Sequence, residues 1–242
     1  MQPARKKRGK GRSNVQGEKR RANILKVSVR LFALRGYDNV SLRDIADEIG
    51  ITPSLIMHHF GSKTVLYREA VDHLLQNGEV FMRGVIPILK VDPSDKPAVA
   101  NAIAESIHIF FDMWYGPNRT KYLDRLMLQV IFSSGAVDIP LALKWIRSAE
   151  KILEDLFIKL NPDRGVMGSD VRAEIFFSHI FYPAVICKFL LSEHSWKDYP
   201  VSFLLEWKKN IARDFCLGLG LPLPSFIYPD DEPAAPSPLL PG

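Results

Sequence analysis

Residues 41–63 read SLRDIADEIGITPSLIMHHFGSK, and their side chains suit contact rather than bond-making. The hydroxyls of Ser41, Thr52 and Ser54, the donors on Arg43, His58, His59 and Lys63, and the apolar edges of Pro53 and Met57 match phosphate oxygens and base edges of a nucleic acid. The adjacent His58 and His59 invite a metal reading. Neighbours on a helix point about 100° apart, however, which is wrong for chelating one ion. The chain has no Gly-rich phosphate loop, no metal-ligand spacing and no GxSxG elbow. These residues therefore imply a binding protein and not an enzyme, with no metal and no cofactor.

Such side chains must be held by short, well-capped helices. Ser41 is a natural N-cap, and Asp44 three residues on completes a capping box. Leu42, Ile45, Ala46 and Ile49 make one apolar stripe. Gly50 follows where the chain must turn, Ile51 plugs the corner, Thr52 caps the next helix and Pro53 sits in its first turn. Leu55 and Ile56 face inward, and Gly61 closes the helix. Small Ala46 permits a close helix crossing. The pattern predicts a helix-turn-helix whose second helix offers its N-terminal end to a major groove. An ordinary helical hairpin uses similar residues, but lacks this set of caps and the basic arm described next. Upstream, Ile24, Val27, Ser28, Leu31 and Phe32 share one face of a helix that starts near Glu18 and is ended by Gly36.

Charge is distributed unevenly. The whole chain carries +5, yet residues 1–21 hold nine Lys or Arg and one acid, so the arm is +8 and the remainder −3. Arg5, Lys6, Lys7 and Arg8 lead this arm, which suits phosphate or minor-groove contacts. A hydrophobic fraction of 47% excludes a disordered or collagen-like chain, and two cysteines, Cys187 and Cys216, exclude a disulfide scaffold. No secretory core follows the basic start. The longest apolar stretch, Ile175–Leu191, is interrupted by Ser178, His179, Pro183 and Lys188, and reads as a buried helix and not a membrane span. A cytoplasmic protein without a membrane partner is expected.

Residues 20–70 resemble the DNA-binding domain of the TetR family of bacterial regulators. The resemblance rests on Leu31-Phe32, Gly36-Tyr37, Ser41 to Ala46, and His59-Phe60-Gly61-Ser62-Lys63. It implies a homodimer whose two recognition helices read a palindromic operator on double-stranded DNA. It also implies a larger domain in which a small-molecule effector moves the fourth helix, near 63–77, and relieves repression. Carried over by position, Thr52, Pro53 and Ser54 reach base edges. Met57, His58 and His59 lie on the groove and phosphate side, and Ser41, Arg43 and Lys63 meet phosphates. The family often has Tyr where Met57 stands. Methionine cannot donate to a phosphate, and a thymine methyl suits it better.

The fold expected is all-α: a three-helix helix-turn-helix domain followed by a larger helical ligand-binding and dimerisation domain. The boundaries read as a disordered basic arm at 1–17, the DNA-binding domain at 18–67, the larger domain at 68–221 and a flexible Pro-rich tail at 222–242. Helices are predicted near 63–77, 79–90, 97–115, 119–134, 139–160, 170–192 and 201–219. The helix at 170–192 is apolar nearly all round, so one face packs inside and the other meets a twin chain; Phe181, Val185 and Phe189, with Leu204, Trp207 and Ile211 from the last helix, are the interface expected. Pro183, mid-helix, should kink it by removing a hydrogen bond. Polar groups among aromatics suggest an apolar effector pocket near His108, Phe111, Asp112, Tyr115, Arg125, Met127, Phe132 and His179, although aromatic stripes at helical spacing are more often plain core. A ligand-independent DNA-binding protein or an activator are the competing readings.

Overall fold

The computed structural model describes residues 10–75, 79–116, 119, 122–132 and 140–229, and among them every regular element is helical. In chain order these are α1 Lys10–Arg35, α2 Leu42–Ile49, α3 Pro53–Phe60, α4 Lys63–Leu74, α5 Glu79–Leu89, α6 Lys96–Tyr115, α7 Leu123–Phe132, α8 Pro140–Leu160, α9 Gly165–Glu193 and α10 Val201–Gly218, with a 3-10 turn at Pro162–Arg164 before α9. Helices α1–α4 and α7 form one compact unit; α5, α6 and α8–α10 form a second.

In the first unit, the predicted apolar faces converge. Ile24, Phe32, Ile45, Ala46, Ile56 and Leu66 are fully buried. Ser28, on the same face, satisfies its hydroxyl on the Ile24 carbonyl at 2.7 Å. The first helix is longer than the sequence suggests, beginning at Lys10 instead of near Glu18, so residues 10–17 are helical and not a disordered arm. Few strong breakers lie between Lys10 and Glu18, and helix propagates from a packed segment at little cost once nucleated. Arg5, Lys6, Lys7 and Arg8 lie outside the described residues.

The second unit is built around α6, where Ile103, Ile107, Phe110, Phe111 and Trp114 are buried. Phe110 meets Phe177 of α9 edge-on at 5.3 Å. On its other side α5 approaches at Gly84, where an added β-carbon would lie 2.3 Å from the Phe110 ring. That ring is fully buried and cannot swing away. Gly84→Ala is therefore expected to lower stability by about 1–3 kcal/mol, read from a denaturant melt; a neutral result would mean that α5 and α6 slide freely.

Helix α9 starts at Gly165, five residues before the expected boundary, with Gly168 inside the helix. It was expected to be buried. Its inner face is: Ala173, Phe176, Phe177 and Ile180 are covered. Its outer face is not, with Met167 at 81%, Val171 at 54%, Tyr182 at 50% and Phe189 at 65% exposure. By length and composition alone, Met167–Glu193 is long and apolar enough to cross a bilayer, contrary to the expectation from its interruptions. Pro183 lies inside the continuous helix α9, where it supplies no N–H to the ladder, and two distant tyrosines reach the backbone around it. The Tyr115 hydroxyl donates to the Ile180 carbonyl at 2.7 Å and accepts from the Ala184 N–H at 3.1 Å, the two groups that an uninterrupted helix joins to each other. The Tyr199 hydroxyl donates to the Pro183 carbonyl at 2.5 Å.

The chain after α10 is not wholly a loose tail. Ser225 N–H donates to Asn101 Oδ1 at 2.8 Å, and Tyr228 is buried, its ring stacked edge-on against His108. Residues 230–242 lie outside the described residues. Neither cysteine is in a disulfide; Cys216 is buried, and burial pushes its thiol up to about 11.

Candidate nucleic-acid interface

The capping box forms as its spacing dictates. The Asp44 N–H donates to Ser41 Oγ at 3.1 Å, and the Ser41 N–H donates to Asp44 Oδ2 at 2.7 Å. The hydrogen bonds from the Ser41 side chain and backbone hold the Asp44 carboxyl below the usual carboxylate range. Helix α2 then ends at Gly50, whose φ of 75° is left-handed and whose N–H reaches the Ala46 carbonyl at 2.9 Å. A side chain there would be strained, so the sharp corner needs glycine. Ile51 is only half-buried at this corner.

Helix α3 starts with Pro53 at its first turn. The expected cap differs: the Thr52 side chain makes no hydrogen bond to the helix backbone. It lies 2.9 Å from Ser54 Oγ instead. The Leu55 N–H, a group such a cap would serve, donates to the Thr52 carbonyl at 3.0 Å, and the hydroxyl stays on the surface. Thr52, Pro53, Ser54, Met57 and His58 are all exposed, while Ile56 and Phe60 are buried. His59 is half-buried, its ring 6.2 Å from Phe60. The leading end of α3 thus presents a row of small and polar side chains to solvent, backed by a rigid apolar side.

Helix α4 opens next to it. Ser62 Oγ accepts from the Val65 N–H at 3.1 Å, and Lys63 is the first helical residue. Sequence reasoning missed what holds Lys63. Its ammonium lies 4.2 Å from the centre of the Tyr37 ring, whose hydroxyl is 2.9 Å from Thr64 Oγ1. A cation–π contact of this kind steers the charge without consuming it. Tyr37 in the Gly-Tyr pair after α1 was the only available signal. Of the two remaining phosphate candidates, Arg43 is highly exposed and makes only a long 3.9 Å approach to Asp47, while the Ser41 hydroxyl is already engaged with Asp44.

Behind this surface, Tyr67 meets Phe32 at 5.0 Å and Tyr37 at 5.1 Å. Burial, with a smaller effect from Tyr37, pushes the Tyr67 phenol up to about 12. A group whose folded value lies above its free value of 10.0 holds its stabilising effect below the free value and loses it as pH rises through the folded one. Stability should therefore decline between about pH 10 and 12, and Tyr67→Phe should flatten that part of the alkaline melt. An equally steep decline in the variant would assign the alkaline loss to another group.

The family described as "Bacterial regulatory proteins, tetR family" matches residues 24–70, from the second half of α1 through the first two-thirds of α4. These residues belong to the TetR family. Over 61 residues the chain is 41% identical to the HTH-type transcriptional repressor KstR2 of Mycobacterium tuberculosis, which covers 25% of this chain and 28% of that protein. The chain thus matches little more than a quarter of this relative's length. Beyond the TetR head the likeness is one of fold. A transcriptional regulator from Saccharomonospora viridis in complex with choline superposes with a TM-score of 0.57 at 20% identity, over 83% of this chain and 96% of that one. AibR in complex with isovaleryl coenzyme A and operator DNA gives 0.56 at 13% identity, over 80% and 96%.

The expected effector residues do not form a single cluster. Phe111, Asp112 and Tyr115 come together in a cavity of about 380 Å³. His108 packs beside the chain's own C-terminal segment, its Nδ1 3.3 Å from Lys208 Nζ. His179 lies elsewhere, along a groove between α9 and α10 with Ile175 and Phe215. Arg125, exposed, and Met127, buried, sit on α7 in the first unit, and the Phe132 side chain lies outside the description. Helical spacing shows which residues share a face, not which helix that face meets.

The expected dimer set also divides. Val185 and Phe189 are exposed, at 48% and 65%. Leu204 and Ile211 are buried within the chain's own second unit, and so are not available to a partner. Phe181 is half-buried with its ring 4.9 Å from Trp114, and Trp207 is half-buried between Tyr182 and Phe203. On α10 the sequence is apolar on the inward side, and its spacing alone does not distinguish an internal face from an interface.

Proposed function

We propose that the protein is a transcriptional regulator of the repressor type, acting in the cytoplasm as a homodimer that binds a palindromic operator and releases it when a small, largely apolar ligand binds the second unit. The observation that carries this reading is the exposed leading end of α3, where Thr52, Pro53 and Ser54 project from a helix locked from behind by Ile56 and Phe60. Thr52, Ser54, Met57 and His58 are the base-edge candidates; Arg43, His59 and Lys63 are the phosphate candidates, with the arm residues Arg5 to Arg8 adding charge along the backbone. Ser41 is retained as a backbone contact through its location, its hydroxyl being shared with Asp44.

The homodimer is supported by the outer face of α9. Met167, Val171, Ile175, Tyr182, Val185 and Phe189 recur at intervals of three, four and seven residues along it, an apolar stripe interrupted at Ser178 and His179. Two half-sites of a palindrome require two readers, and a self-complementary face on each chain supplies them. KstR2 is named a repressor, and AibR was crystallised with both an acyl coenzyme A and operator DNA, which makes the same division of labour the economical one here.

A footprint on DNA flanking the protein's own gene tests the reading. A discrete protected palindrome supports it; equal, weak protection of all duplexes overturns it. Within that experiment, Lys63→Ala should reduce the log–log salt dependence of binding by about 0.9 for each phosphate contact removed. An unchanged slope would remove Lys63 from the interface.

A further inference from the structure

We propose that each half-site of the operator contains an A·T step, read by Pro53 and Met57 on the thymine methyl and by the linked Thr52 and Ser54 hydroxyls on the adenine edge. The inference rests on the function proposed above and names the base pair that this site accepts.

Residues 52–60 read TPSLIMHHF. Thr52, Pro53, Ser54, Met57 and His58 are exposed, with Ile56 and Phe60 buried behind them. At about 100° per residue, the exposed helical positions fall within about 140° of the circumference, in the order Pro53, Met57, Ser54, His58. Pro53 and Met57 stand one turn apart and make a single apolar ridge, with Met57 at 45% exposure. Ser54 lies beside Met57, and His58 closes the far edge. Because the helix is locked from behind, this face meets a groove with little to reorganise.

The composition of this stretch rules out the commonest readout of guanine. It contains no Arg, Lys, Asn or Gln. It therefore lacks the paired donors that fork onto guanine N7 and O6, and the side-chain amide that spans adenine N6 and N7. His58 carries its two ring nitrogens on diverging edges, which do not make a fork. The Arg and Lys nearest in sequence on either side, Arg43 and Lys63, belong to α2 and α4. As phosphate contacts they add affinity that is the same for every sequence.

What remains selects A·T from both sides. The 5-methyl of thymine is the apolar group that a base pair shows in the major groove, so the Pro53–Met57 ridge favours thymine. The hydroxyls favour adenine. Thr52 Oγ1 and Ser54 Oγ lie 2.9 Å apart, and one donates to the other. That internal bond uses one of the two O–H groups and leaves one O–H, together with oxygen lone pairs, to face outward. Adenine shows an acceptor at N7 beside a donor at N6, which one donor and one acceptor satisfy. Guanine shows two acceptors, and the linked pair has a single donor left for them.

Selection of bound duplexes from a random-sequence pool by the full-length protein supplies the probe. The enriched duplex is remade with uracil for each thymine in turn, which removes only the methyl, and with 7-deazaadenine for each adenine, which removes only the N7 acceptor. Fluorescence anisotropy should show about a fourfold loss for uracil at a position in each half-site, the worth of one buried methyl. A loss is also expected for 7-deazaadenine at the same or the neighbouring pair. Met57→Ala should bind the thymine and uracil duplexes alike, and Thr52→Val/Ser54→Ala the adenine and 7-deazaadenine duplexes alike. Both variants should keep the wild-type melting temperature, since these side chains are exposed and Thr52 makes no capping bond. Enriched half-sites without A·T pairs, or silence towards either modified base, overturn the inference and leave the regulator standing. So does a uracil loss that persists in Met57→Ala. A pool that yields no enriched sequence refutes the regulator and this inference together.

Discussion

Replacing Val185 and Phe189 together by glutamate should leave a folded monomer that no longer binds its operator tightly. Both side chains are solvent-exposed in the single chain, so their loss removes little from its own core. In a symmetric interface each substitution occurs twice, placing four carboxylates in a face otherwise built from Met167, Val171, Ile175 and Tyr182. Burying unpaired carboxylates costs several kcal/mol each by order of magnitude, far more than such a face gains per residue. Two linked readers bind more tightly than one because the second contact is intramolecular, and losing that linkage costs roughly 10²–10⁴-fold in affinity. Sedimentation equilibrium at micromolar concentration checks the first part and fluorescence anisotropy on the footprinted duplex checks the second. A variant that stays dimeric would move the interface to another face. If it unfolded instead, the stripe would be part of the chain's own core, which its exposure argues against.

Phe32→Ala should cost the first unit about 3–5 kcal/mol, on the scale of a domain's entire stability of roughly 5–15 kcal/mol. Phe32 is fully buried between α1 and α4, edge-on to Tyr67 at 5.0 Å and stacked on Tyr37 at 6.1 Å. Tyr37 in turn carries the ammonium of Lys63 on its face. Truncation therefore opens a cavity and loosens the platform beneath a phosphate contact. The expected result is a large drop in the denaturant midpoint of the first unit, together with weaker, less salt-dependent DNA binding. Hydrogen exchange resolved by helix should show α1 and α4 losing protection. A loss below about 1 kcal/mol would mean that neighbouring rings collapse into the space, and that the aromatic cluster is less tightly coupled than its geometry implies.

Much of the head was legible because its signals are local. A capping box spans four residues, a left-handed glycine follows the last turn, and apolar stripes repeat at three and four. Each of these is settled within one or two helical turns, so Ser41–Asp44, Gly50, Ile45, Ala46 and Ile56 could be assigned before any fold was known. Helix positions in the second unit were also clear where proline or glycine marks an end, as at Pro97, Gly116, Pro140 and Pro200. Boundaries were weaker where no breaker intervenes, as at the start of α1, and where a glycine sits inside a helix, as Gly168 does in α9.

What the chain alone determined about this protein, then, is which segments are helical, where the helix-turn-helix lies and which side chains lead its second helix, because hydrogen-bonded caps and helical periodicity act between near neighbours. Only the tertiary structure decided that Leu204 and Ile211 face inward while Met167, Val171 and Phe189 face out, that Lys63 rests on Tyr37, and that Tyr115 and Tyr199 reach the backbone of α9 around Pro183. A helix that is apolar on several sides carries no local mark of which side meets which neighbour. That choice is made by packing between residues far apart in the chain, such as Tyr115 and Ala184, and no spacing rule reaches that far.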